Sequence, residues 1–144
     1  MLTDLKTART ALDAGDYTCV VCRGTHFHHA TARGVRPLLN WLDAGLDLNG
    51  YCAADRVVGR ATAFLYVLLG VRSVYARVMS RPAAQVLGSY GIGWETDNLV
   101  EGIINRKGDG PCPFEAAVMD ISDASKALDA IREKMQQMQQ EVSE

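Results

Sequence analysis

The chain has 144 residues, 48% of them hydrophobic, with four prolines and a formal net charge of −2. That length and apolar share suit one domain with one core, and the near-neutral balance sets up no field for a polyanion, so no nucleic-acid partner is expected. The longest apolar run, Ala61 to Val71, falls short of the ~20 residues of a membrane-spanning helix, and Met1 to Lys6 has no basic head before an apolar stretch; the expectation is a cytoplasmic protein with no membrane partner and reduced cysteines.

Thr3 followed by Asp4 to Ala14 places Leu5, Ala8 and Leu12 on one face and meets Gly15, which predicts a first helix. Tyr17 to Cys22 is short and β-rich, and Gly24 turns the chain into Thr25 to Thr31, predicting a hairpin of two strands. Val35, Leu38, Leu39 and Leu42 recur at helical spacing up to Gly45, and a turn-rich connection follows over Leu46 to Gly50.

From Ala53 to Leu69 the apolar positions Val57, Val58, Ala61, Ala63, Phe64, Val67 and Leu68 cover most of a helical circumference, which predicts one helix packed on both sides, with Gly70 as its left-handed cap. Val74 to Met79 reads as a strand, and Pro82 opens a helix through Tyr90 that Gly91 closes. Ile92 to Glu95 reads as a short strand, with a helical turn from Asp97. The segment from Asp123 to Glu141 is a helix with Ala127, Leu128, Ile131, Met135 and Met138 as its apolar stripe. Strands alternating with helices imply an α/β domain with helices on both faces of a mixed sheet.

Three runs carry a resemblance: Ala54-Asp55-Arg56-Val57-Val58-Gly59-Arg60-Ala61, Val78-Met79-Ser80-Arg81-Pro82-Ala83, and Ile104 through Glu115. Together they resemble a small uncharacterised prokaryotic family, similar in fold to cytidine deaminases. The resemblance implies a cytidine-deaminase-like, three-layer α/β/α sandwich with a mixed sheet, and leaves the biochemical role open.

Hydrolytic deamination uses a zinc ion to generate hydroxide and a carboxylate to move its proton. The usual signature is a His or Cys two residues before a Glu at one helix start, then Pro-Cys-x-x-Cys at the next. Here Asp55 stands where the Glu would be, but the ligand position is Ala53, with Cys52 one residue early, and the second station reads Pro82-Ala83-Ala84-Gln85. Catalytic zinc takes about three protein ligands, so neither metal nor cofactor is expected. At the head of the predicted helix, Asp55 reads either as a carboxylate favourable to the helix dipole or as a pocket acceptor for a ligand amine or hydroxyl. Arg56 and Arg60, four apart on that helix, read as a solvated face before an anion site.

The segment Asn105 to Glu115 is the strongest local signal. Gly108, Gly110 and two prolines lie beside Arg106 and Lys107, a composition whose backbone amides can approach an anion. Cys112 fits a helix cap, Pro113 the first helical position and Glu115 the third, resembling a capping box. A thiol there meets the positive end of the peptide dipoles, making Cys112 the candidate nucleophile. The plain alternative is a structural turn with a small buried cysteine.

Cys19 and Cys22 have metal-like spacing, but strand residues three apart face opposite ways. His26 and His28 share a strand face and suit adventitious Zn²⁺ or Ni²⁺, or are simply exposed hairpin residues. Gly88, Gly91 and Gly93 end a helix instead of opening one after a strand, so they are no dinucleotide fingerprint. Trp41 and Trp94 read as packing residues.

The expected molecule is one domain over residues 1–144. Its first functional reading is a binding or regulatory module for a nucleotide-like or small anionic ligand, with Ser80, Asn105, Arg106, Lys107, Gly108 and Gly110 as binding residues. The second is a metal-independent enzyme with Cys112 as nucleophile and Glu115 or Asp55 handling protons. The third is a structural role in a homo-oligomer built through the helix over about 123–141.

Overall fold

The computed structural model describes residues 3–104, 108, 110 and 112–143. Helix α1 (Asp4–Ala14) starts where Thr3 Oγ1 accepts the Lys6 N–H at 3.2 Å, and buries Ala8 and Leu12. Strands β1 (Cys19–Arg23) and β2 (His26–Ala30) form the expected antiparallel hairpin, with Cys22 opposite Phe27. Helix α2 (Arg36–Asp43) carries Pro37 in its first turn, where a missing N–H costs nothing.

Residues 53–69 correct the sequence expectation. They form not one helix but strand β3 (Cys52–Val58), a break at Gly59, and helix α3 (Arg60–Leu69). The reason is burial on both sides of the strand. Cys52, Ala53, Ala54 and Asp55 are all buried, and Ala53 faces one apolar cluster while Ala54 faces another. A strand covered on both faces has no polar alternation, so its apolar run looks like that of a buried helix. Gly70 caps α3 as expected, with φ 90°.

Strand β4 (Ser73–Ser80) leads into α4 (Arg81–Ser89) with no intervening loop. Strand β5 spans Gly93–Val100, longer than the sequence suggested, and Asp97 lies in it, not in a helical turn. Its polar residues are tolerated because β5 is an edge strand and largely exposed. Helix α5 (Pro113–Val118) and the long α6 (Ala124–Ser143) follow.

The sheet order is β2-β1-β3-β4-β5. β1 is antiparallel to β2 and β3, whereas β3, β4 and β5 are parallel, so the sheet is mixed. On one face α1 packs Ala8 and Leu12 against Val20, Cys22, Ala54 and Tyr75. The other face carries the larger core, with Leu38 of α2, Phe64 of α3, Leu87 of α4, Val118 of α5 and Ile131 of α6. This is a three-layer α/β/α arrangement. Cys19 and Cys22 face opposite layers, as strand geometry requires. The apolar stripe of α6 is taken up by its own core, Ala127 and Ile131 fully and Leu128 and Met135 in part. Among the described residues no helix is long and apolar enough to cross a membrane.

Candidate functional site

Because β3 and β4 are parallel and in register, with Val58 beside Met79, α3 and α4 begin next to each other at the carboxyl ends of these two strands. Each start exposes backbone N–H groups that need acceptors. Ser80 serves α4: its Oγ accepts the Ala83 N–H at 3.1 Å, and its side chain is fully buried. Gly59, the residue before α3, has no side chain to do the same. The acceptor comes instead from α5, whose half-buried Glu115 receives the Ala61 N–H at 3.0 Å.

The two starts are joined. Ser80 Oγ lies 3.4 Å from Glu115 Oε1 and donates its proton to it, since the same oxygen already accepts from Ala83. Gly59 leaves the room this needs, because a Cβ there would collide with the Glu115 carboxylate. A negative group at this point is also favoured by the dipole of α3. Glu115 therefore makes no capping box within α5; its bond is to another helix.

Arg60, the first residue of α3, fastens α5 in place. Its guanidinium donates to the carbonyls of Val118 (3.0 Å), Pro82 (3.5 Å) and Ile121, and it lies over the Phe64 ring at 5.2 Å. Arg56 donates to the carbonyls of Tyr17 (2.6 Å) and Gly15 (3.4 Å). The solvated-face reading of these two arginines is therefore corrected: both are half-buried and tie elements together, and they do not share a helix.

Asp55 is also corrected. It is no helix-terminal carboxylate but a buried residue in mid-β3, where Oδ2 accepts from the Tyr66 hydroxyl at 2.7 Å and Oδ1 from the Val57 N–H at 3.3 Å. Burial, the largest influence, pushes its carboxyl up to about 6 against the lowering effect of these bonds and of Arg56. Cys19 stands opposite Asp55 in the β1–β3 register, and burial and the Asp55 charge push its thiol up.

Of the residues singled out from sequence, Ser80 and Glu115 are brought together, and Asp55 belongs to a separate cluster. Cys112 is the N-cap of α5, with Pro113 following, and its thiol makes no capping hydrogen bond. Asn105, Arg106 and Lys107 lie outside the described residues. Gly108 has a positive φ of 75°, a conformation that suits glycine. His28 sits near Trp41 and Tyr51, and His29 stacks on Tyr17 at 4.2 Å, so these two imidazoles are engaged on the hairpin, while His26 is exposed. Sequence reasoning missed Gly59, Tyr66 and the anchoring role of Arg60. The glycine between two apolar runs was the available signal for the first.

The donor set at the α3 and α4 starts is one carboxylate and one hydroxyl, beside an arginine. That does not fit a catalytic zinc ion, which takes about three protein ligands, and among the described residues no cluster of three or more His, Cys, Asp or Glu is placed to hold a metal.

A family model described as a domain of unknown function (DUF1893) matches residues 7–135. In structure the chain is similar to the crystal structure of a DUF1893 family protein (TM1506) from Thermotoga maritima. The TM-score is 0.82 at 22% sequence identity, covering 95% of this chain and 92% of that one. No curated protein matches the sequence.

Proposed function

This chain belongs to the DUF1893 family, and from that premise and the convergence of Gly59, Ser80 and Glu115 we propose that it is a binding or regulatory module that holds a small nucleotide-like molecule without hydrolysing it. The observation that carries the reading is the Glu115 carboxylate, brought from α5 to the carboxyl ends of two parallel strands and kept half-exposed there. Open α/β sheets take ligands at that edge of their strands.

The chemistry of the site favours one way of binding. Glu115 already fills the amide end of α3, so a ligand phosphate gains little there. A carboxylate with unused lone pairs instead accepts hydrogen bonds from an amino or hydroxyl group of the ligand. Arg106 and Lys107, ahead of α5 in the sequence, are the cations that the sequence offers for an anionic group of the ligand.

The test is a panel of nucleosides and nucleotides followed by thermal shift and titration calorimetry on metal-stripped full chain. A ligand should raise the melting temperature, Glu115→Gln should weaken its binding by about tenfold or more, as expected for loss of a charge-assisted bond of ~1.5–3 kcal/mol, and Cys112→Ser should bind as the parent does. Turnover that vanishes in Cys112→Ser would replace this reading with the metal-independent enzyme in which Cys112 is the nucleophile.

A further inference from the structure

Asp55 is 8% exposed, and every element packed against it can be named. Cys19 faces it from β1, Ala76 from β4 and Tyr66 from α3. Among the described residues the cation that acts on it is Arg56, whose guanidinium is committed to the carbonyls of Tyr17 and Gly15. Ionised, it is a buried charge held by hydrogen bonds from the Tyr66 hydroxyl and the Val57 and Arg56 backbone and by the charge of Arg56, without an ion pair among the described residues, and such a charge is costly to keep out of water.

We propose that Asp55, Tyr66 and Cys19 form a proton-operated latch between β1, β3 and α3, closed while the carboxyl holds its proton and loosened when it ionises. A protonated carboxyl both accepts and donates. It can accept the Tyr66 hydrogen bond on one oxygen and carry its own proton on the carboxyl, leaving a neutral cluster of three groups. The Tyr66 hydroxyl and Cys19 thiol are themselves pushed up, burial first, and neither supplies a compensating charge.

The direction of the pH dependence follows from burial. The folded carboxyl titrates at about 6, above the ~3.9 of an unfolded aspartate, so between those values the folded chain holds more protons. Its contribution is fully present below about pH 4 and is lost as pH rises through about 6. The latch lies just before Val57 and Gly59, so the strand end that loosens is the one against which Glu115 is seated. The inference does not depend on any ligand.

Carbon-detected NMR of the aspartate carboxyls in the full chain reads the protonation, and amide hydrogen exchange at pH 5 and 7.5, corrected for intrinsic rates, reads the latch. Asp55 should titrate near 6, and protection of β3 and α3 amides should fall about tenfold between the two pH values. Asp55→Asn should flatten that difference. Tyr66→Phe, which removes a donor to the carboxylate, should move the Asp55 midpoint upward, and decides the matter if Asp55→Asn does not fold. A midpoint below 5, a pH-independent protection pattern, or the same pH dependence in Asp55→Asn would each overturn the latch.

Discussion

Gly59 carries no side chain at the point where Glu115 needs room. Its φ of −96° is open to any residue, so the requirement is one of space, not of backbone conformation. Gly59→Ala should therefore push the carboxylate, the far end of a flexible side chain, away from Ala61 and Ser80 and destabilise the chain by about 0.5–2 kcal/mol, the usual cost of a lost helix cap. Urea unfolding measures this. Once Glu115→Ala has removed the carboxylate, adding Gly59→Ala should cost little more, because the collision is gone; an additive double variant would count against the contact. Cys112 offers a contrast at the same scale. Its thiol caps α5 without a hydrogen bond, and iodoacetamide at pH 7 should label it at about the rate of a simple thiol. Labelling tenfold faster would restore it as a nucleophile.

At the scale of the element, α5 is a helix of six residues, too short to persist in water by its own propensity. It is held by packing of Val118 and Phe114 in the core with α6 and by two bonds from α3: the Arg60 guanidinium on the Val118 carbonyl and the Ala61 N–H on Glu115. Arg60→Lys keeps the charge but loses the fork that reaches several carbonyls at once. It should cost about 1–3 kcal/mol through the carbonyls left without donors, and hydrogen exchange should rise first in α5. Uniform loss of protection across α3, α4 and α5 would show that Arg60 serves the whole core instead. The sequence displayed the local half of this arrangement. Pro82, Cys112 with Pro113, and Gly70 are punctuation that each helix carries in its own residues, and all three were legible; the cap at Ser80 was not read. The bond between Glu115 and Ala61 joins residues 54 apart, and no periodicity within either segment encodes it. β3 failed for a different reason, since a strand buried on both faces lacks the polar alternation that separates it from a helix. Misreading it also hid the Asp55 cluster, because Tyr66 and Cys19 meet Asp55 only once β3 is placed beside β1.

For the whole molecule, the sheet has two cores on its two faces, and β1 contributes to both: Val20 and Cys22 to the α1 side, Cys19 and Val21 to the other. Alternate side chains of one strand thus couple the layers, and the molecule should unfold in one step. Leu12, fully buried under α1, and Ile131, fully buried under α6, probe the two sides independently. Leu12→Ala and Ile131→Ala should each cost about 2–5 kcal/mol, and both should shift a single transition. Trp41 on α2 and Trp94 on β5 report by fluorescence from different places in the fold, and circular dichroism reports the helices, so the three signals should coincide in both variants. If α6 signal were lost in Ile131→Ala while the tryptophans stayed native, α6 would be an appendage on a self-sufficient sheet, and its stripe would be free to serve the homo-oligomer that the sequence suggested. Light scattering on that variant would then show more association than in the parent chain.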